Sequence, residues 1–152
     1  MGTLKEQLQS DLTDAMRARD QVRTGSLRMA LSAVTTEEVA GKEHRDLTDD
    51  DVLKVLGREA KKRREASEAY AGADRPELAA QEDAELAVLE TYLPKQLSDD
   101  ELSGIVTDAV GSSGATGMAQ MGLAMKAANA AVAGRAEGGR VAAIVKRTLA
   151  GR

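Results

Sequence analysis

Leu93-Pro94-Lys95-Gln96-Leu97-Ser98-Asp99-Asp100-Glu101-Leu102 is the stretch that decides how this chain is organised. Pro94 has no N–H to donate and disfavours helical geometry in the residue before it, so a helix arriving from the N-terminal side stops here. A new helix then starts. Ser98 suits the N-cap, Glu101 can reach back to the Ser98 N–H, and Leu97 and Leu102 occupy the two positions of a hydrophobic staple. A helix stop and a helix start joined by a short proline linker mark a boundary between two modules, residues 1–92 and 93–152.

Upstream of the linker the apolar residues recur at helical spacing. Leu4, Leu8, Leu12, Ala15 and Met16 form one stripe and predict a first helix from Leu4 to Arg19. A second runs from Val22 to Val39, and Gly41 is placed to end it in a left-handed conformation. Leu47-Thr48-Asp49-Asp50-Asp51-Val52 predicts a capped start, with Thr48 as N-cap and three aspartates facing the positive end of the helix dipole. That third helix continues to Tyr70, and Gly72 is placed to end it. Pro76 opens a fourth, which carries Leu78, Leu86, Leu89 and Leu93. Downstream, Leu102, Ile105, Val106 and Val110 continue the helix that Ser98 caps, and Gly111-Ser112-Ser113-Gly114 breaks it. An Ala- and Met-rich helix, Met118 to Val132, follows. A glycine-rich basic turn, Gly134 to Gly139, leads into a last helix with Val141, Ile144, Val145 and Leu149. No run alternates with period two. The fold class is therefore all-α, an N-terminal four-helix module followed by a small three-helix C-terminal module.

Composition narrows the chemistry. The chain has 152 residues, no Cys, Trp or Phe, and one His. Disulfide and thiolate chemistry are excluded, and the core is built from aliphatic side chains. No stretch approaches the roughly 18 apolar residues of a membrane span, and no signal-peptide pattern opens the chain, so a cytoplasmic protein without a membrane partner is expected. The net charge of −4 hides a split, with 14 Lys+Arg against 20 Asp+Glu over residues 1–92 and 7 against 5 over residues 93–152.

Catalytic constellations do not assemble. His44 lies in a charged loop, Lys42-Glu43-His44-Arg45-Asp46, without a nucleophile beside it. Phosphate-cradling glycine motifs are missing, so neither a nucleotide nor another cofactor is implied. Asp49-Asp50-Asp51 point in successive directions on a helix, which favours capping over a metal cage. No catalytic residue and no metal ligand is assigned.

Two sets of cations could bind a partner. In the tail, Lys126, Arg135, Arg140, Lys146 and Arg147, with Arg152, surround the closing helix pair. The glycines Gly134, Gly138 and Gly139 and the N-terminus of the last helix suit close approach of a phosphate. Glutamate at both Arg140 and Lys146 is expected to weaken RNA binding without lowering stability. In the body, Arg58-Glu59-Ala60-Lys61-Lys62-Arg63-Arg64-Glu65 reads as a solvated helix face with Glu59–Arg63 and Lys61–Glu65 pairs. Arg58 and Lys62, with no i+4 acid between them, are secondary nucleic-acid-binding candidates.

At these residues the chain resembles the GatB/YqeY family. Leu93-Pro94-Lys95-Gln96-Leu97-Ser98 with Glu101-Leu102 resembles its L-P-x-Q-L-S-x-x-E-L signature. Met121-Gly122 with Met125-Lys126, then Gly134-Arg135-Ala136-Glu137-Gly138 and Val141, resembles its tail motif. Leu27-Arg28-Met29 and Arg58-Glu59 with Lys61-Lys62-Arg63 are similar to the stand-alone YqeY-like members. The resemblance implies kinship with the C-terminal tail domain of the Asp/Glu-tRNA amidotransferase B subunit, which contacts tRNA while the chemistry resides elsewhere. It implies a tRNA-binding accessory protein without catalysis of its own, with Met121, Gly122 and Met125 setting close helix packing. Two alternatives stand beside it. One is a protein-interaction module docking on an amidotransferase or an aminoacyl-tRNA synthetase. The other is an amidotransferase-related enzyme subunit, a carbon–nitrogen ligase with glutamine as amide donor, by family kinship.

Overall fold

The computed structural model describes residues 3–151; Met1, Gly2 and Arg152, one of the tail cations, lie outside the described residues. The described residues form seven α-helices and one short 3₁₀ turn, with no strand. They are α1 (Leu4–Arg17), α2 (Gln21–Glu38), α3 (Asp49–Gly72), α4 (Pro76–Glu90), α5 (Asp99–Ser113), α6 (Met121–Val132) and α7 (Gly138–Ala150). None of them is long and apolar enough to cross a membrane. The chain divides into two compact units, one ending at Leu93 and one beginning at Pro94.

Capping explains most helix starts. Thr3 Oγ1 accepts from the Glu6 N–H at 3.2 Å, and Asp20 Oδ1 accepts from the Arg23 N–H at 3.1 Å. Thr48 with Asp51, and Ser98 with Glu101, complete reciprocal capping boxes at α3 and α5. The hydrogen bonds from Thr48 hold the Asp51 carboxyl below the usual range, and those from Ser98 do the same for Glu101. Asp49 has a further role that the sequence hides: its Oδ1 accepts from the Leu4 N–H at 2.9 Å, fastening the start of α1 to the start of α3.

Helix ends depart from the sequence reading in several places. Gly72 is the last residue of α3, with Ala73 as C-cap, and Leu93 lies beyond the end of α4 at Glu90. Met118–Gln120 is a 3₁₀ turn ahead of α6, and Gly138 and Gly139 are the first residues of α7 rather than part of the turn before it. The first helix stops at Arg17 rather than Arg19, because Arg19 turns into the left-handed region (φ 56°) and Asp20 already caps the next helix. Gly41 does not terminate α2. The helix ends at Glu38, with Val39 as C-cap at φ −108°, and the Arg45 N–H bonds the Glu38 carbonyl at 2.9 Å. In α5 the helix runs through Gly111 to Ser113, and Gly114 alone ends it at φ 83°. A helical glycine costs about 1 kcal/mol; the buried Leu102, Val106 and Val110 on the same helix offset that.

In the N-terminal unit, Leu8 and Ala15 of α1 meet Leu27, Ala30 and Val34 of α2, Val52, Val55, Leu56 and Ala60 of α3, and Leu89 of α4. Each large side chain buried here contributes about 1.5–3 kcal/mol. Tyr92 closes the edge of this core, its hydroxyl donating to Asp11 Oδ2 at 2.5 Å. Burial, with that carboxylate bond second, pushes the Tyr92 phenol up to about 12. A phenol whose folded value lies above its unfolded value of about 10 stabilises the neutral-tyrosine fold below pH 10 and loses that stabilisation as pH rises through the folded value. Unfolding midpoints should therefore fall between about pH 10 and pH 12, and Tyr92→Phe should remove most of that fall. Chemical denaturation followed across this range checks it; an unchanged slope in the Phe variant would contradict the assignment.

The C-terminal unit is a separate core of Leu97, Leu102, Val106, Val110, Ala115, Ala124, Ala128, Val132, Val141, Ile144, Val145 and Leu149. Ala124, Ala128 and Val132 stack at i, i+4 and i+8 on α6, so small side chains face the neighbouring helices and let them approach closely. Met121 and Met125 pack against this core, but Gly122 does not: a Cβ there would meet nothing within 4 Å. Gly134 (φ 78°) follows Ala133 (φ 50°), two left-handed residues that end α6. The linker belongs to this unit, since the Leu97 N–H bonds the Arg135 carbonyl at 2.8 Å.

Candidate nucleic-acid interface

The tail cations fall into two classes. Arg135 and Arg140 are structural neighbours of the α6–α7 turn and are already engaged. Arg135 donates through Nε to the Val132 carbonyl (2.9 Å) and through Nη2 to the Ala131 carbonyl (2.8 Å), covering the exposed acceptors at the end of α6. Arg140 donates through Nη2 to Asp99 Oδ1 at 2.6 Å and approaches the Leu97 carbonyl at 3.4 Å, joining the first turn of α7 to the first turn of α5. Glutamate at Arg140 would set two carboxylates against each other, so the paired substitution of Arg140 and Lys146 perturbs the fold as well as any contact surface.

Lys126, Lys146 and Arg147 form the second class. All three are exposed, and none makes an ion pair among the described residues. Lys126 lies on the side of α6 away from Ala124 and Ala128, which are fully buried. Lys146 and Arg147 are successive on α7 and point about 100° apart, flanking the buried stripe of Val141, Ile144, Val145 and Leu149. Arg140, seven positions before Arg147, shares its flank. The five cations therefore do not occupy one face.

Charge in this unit is nevertheless sorted by helix. Asp99, Asp100, Glu101 and Asp108 all lie on α5, whereas residues 118–151 carry Lys126, Arg135, Arg140, Lys146 and Arg147 against Glu137 alone. The N-terminus of α7 has no side-chain cap, its N-cap being Glu137.

In the N-terminal unit the secondary candidates are both paired. Arg58 Nη2 lies 3.1 Å from Glu37 Oε2, and Lys62 Nζ lies 2.9 Å from Glu59 Oε2. The basic run around them is not a solvated face throughout. The Lys61–Glu65 pair is exposed at 3.9 Å, but Glu59 and Arg63 point inward and are buried. Arg63 Nη1 donates to the Glu59 carbonyl at 3.1 Å and sits 3.5 Å from Glu59 Oε1, while Nη2 rests on Met29 Sδ at 3.4 Å. Its Nε finds no hydrogen-bond acceptor, and Glu85 Oε2 of α4 stands 3.7 Å away. Burial and the neighbouring Glu85 push the Glu82 carboxyl upward. Sequence reasoning missed this cluster because an i,i+4 ion pair looks the same inside a unit as on its surface.

One group of side chains has the composition of a cation site. Ligand atoms of Glu38, His44 and Asp46 lie within 4.8 Å of one another. Lys5 Nζ, however, already takes both oxygens of the buried Glu38 carboxylate, at 2.9 and 3.0 Å, and His44 Nε2 rests on Asp46 Oδ1 at 2.9 Å. That carboxylate is neutralised by an ammonium, a poor starting point for a second cation.

Comparison with known proteins agrees with the motifs. The chain is similar to an uncharacterized protein of Schizosaccharomyces pombe, 33% identical over 97 residues, which are 63% of this chain and 76% of the relative. The family model described as "Yqey-like protein" matches residues 5–149, nearly the whole chain, and on that match the chain belongs to the YqeY-like family.

Proposed function

We propose that this protein is a tRNA-binding accessory factor whose α6–α7 pair contacts the phosphate backbone and whose partner, an amidotransferase or an aminoacyl-tRNA synthetase, supplies any chemistry. The observation that carries this reading is the sorting of charge in the C-terminal unit, five cations against Glu137 over residues 118–151. A polyanion approaching α6 and α7 meets almost no carboxylate there. Structured RNA is read largely by shape, phosphates and 2′-hydroxyls, so a surface without aromatic side chains is adequate.

Lys126, Lys146 and Arg147 make the contacts, being exposed and without an ion-pair partner among the described residues. Arg135 and Arg140 hold the turn between them. Three neutralised phosphates give a log–log salt slope of about −2 to −3. Alanine at any one of the three should make that slope shallower by about 1 and leave thermal stability unchanged. Filter binding of bulk tRNA at several salt concentrations reads both quantities. A flat salt response of the unaltered protein, or equal affinity in all three variants, would remove this function from α6 and α7.

A further inference from the structure

The N-terminal unit is acidic as a whole, yet one stretch of it is strongly basic. Residues 15–36 hold Arg17, Arg19, Arg23 and Arg28 against Asp20 alone, and Asp20 is committed to capping α2. Arg17, Arg19 and Arg28 are exposed and pair with no carboxylate among the described residues. Apolar side chains are exposed among them: Met16 at 44%, Val22 at 45% and Met29 at 45%. Arg28 Nη2 lies 3.3 Å from Met16 Sδ, so α1 and α2 contribute to one continuous surface. Val22, Gly25 and Met29 recur at i, i+3 and i+7 on the outer side of α2, and around Gly25 the surface is open, with nothing within 4 Å of a Cβ position. Flexible methionines beside a flat spot, rimmed by arginines, suit a smooth acidic helix.

The same unit presents such a helix. Between Pro76 and Glu90, α4 carries Glu77, Glu82, Asp83, Glu85 and Glu90 and no Lys or Arg. Glu82 and Glu85 turn inward toward Arg63, but Glu77, Asp83 and Glu90 are exposed and pair with no cation among the described residues. Between them Ala80, Ala84 and Ala87, spaced i, i+4 and i+7, form an exposed strip with no large side chain. Each surface offers the charge and shape that the other lacks.

We propose that two copies of this chain associate about a twofold axis, the Met16–Val22–Met29 surface of each seated on the outer face of α4 of the other. Twofold symmetry makes this complementary contact twice, once in each direction, and closes the assembly, whereas a one-way contact would run on into a filament. The arginine–carboxylate rim is exposed, so salt weakens the association.

Sedimentation equilibrium of the full chain tests this, at loading concentrations from about 1 µM to about 100 µM, where a weak symmetric dimer changes occupancy. The unaltered protein should rise toward twice its monomer mass at low salt and fall back at high salt. The Arg17→Glu/Arg28→Glu variant and the Asp83→Lys/Glu90→Lys variant should each stay monomeric, with unchanged helical circular dichroism. Mixed one to one they should associate again, because each reversed surface now faces a partner reversed in the opposite sense. A wild-type protein that stays monomeric throughout overturns the proposal. A dimer whose two variants fail to associate on mixing also overturns it, as does a monomer whose arginine pair is instead needed to retain tRNA.

Discussion

Alanine at Arg63 should destabilise the N-terminal unit by about 3–5 kcal/mol, the cost of leaving buried charge unpaired. Arg63 is 5% exposed, and its guanidinium stands between Glu59 of α3 and Glu85 of α4. Without it Glu59 keeps only Lys62, a mostly exposed partner, and Glu85 is left beside Glu82. Two carboxylates would then share one poorly hydrated edge with no cation between them. Lost packing contributes as well, since the side chain also rests on Met29. Arg63→Met separates the two effects, because it restores bulk but not charge and should recover less than half of the loss. Urea unfolding read by tyrosine emission suits this measurement, because Tyr70 and Tyr92 are the only aromatic residues and both lie in this unit. A loss below about 1 kcal/mol would mean that water reaches the cluster and screens it, as at exposed pairs.

Leu102→Ala should be comparably severe for the C-terminal unit. Leu102 is 1% exposed and sits one turn into α5, where the capping box fixes the helix against the core. Truncating a buried leucine costs about 2–5 kcal/mol, through lost transfer energy and the cavity left behind. A unit of 59 residues commands only about 3–9 kcal/mol in total. Its core contains no aromatic ring to close over the gap. Most of the margin would therefore be lost, and amide protection across α5, α6 and α7 should fall together by a factor of about 30 or more, since each 1.4 kcal/mol is tenfold. Hydrogen exchange resolved by residue measures this. Protection reduced less than tenfold would show that the cavity collapses.

Local rules carried the reading of helix starts and little beyond them. Thr48 and Ser98 cap where the sequence places them because capping depends on residues three apart in the chain. The end of α5 was misplaced because Gly111 and Gly114 look alike in sequence, and only packing distinguishes a tolerated glycine from a terminating one. The inward turn of Glu59 and Arg63 depends on α4, which arrives some twenty residues later. The candidate binding cations show the same limit. Sequence supplies their charge, but the pairing of Arg140 with Asp99 spans 41 positions and of Arg58 with Glu37 spans 21. Separating the engaged cations from the available ones required their three-dimensional neighbours.

The bond from the Leu97 N–H to the Arg135 carbonyl has a practical corollary. Pro94 also lies against Gly134, so the first residues after the junction are masonry of the second unit rather than slack rope. A fragment cut to begin at Ser98 would retain its helix cap but forfeit the buried leucine before it and expose the Arg135 carbonyl. A fragment begun at or before Leu93 keeps both, and fusion partners, tags or protease sites belong upstream of that residue.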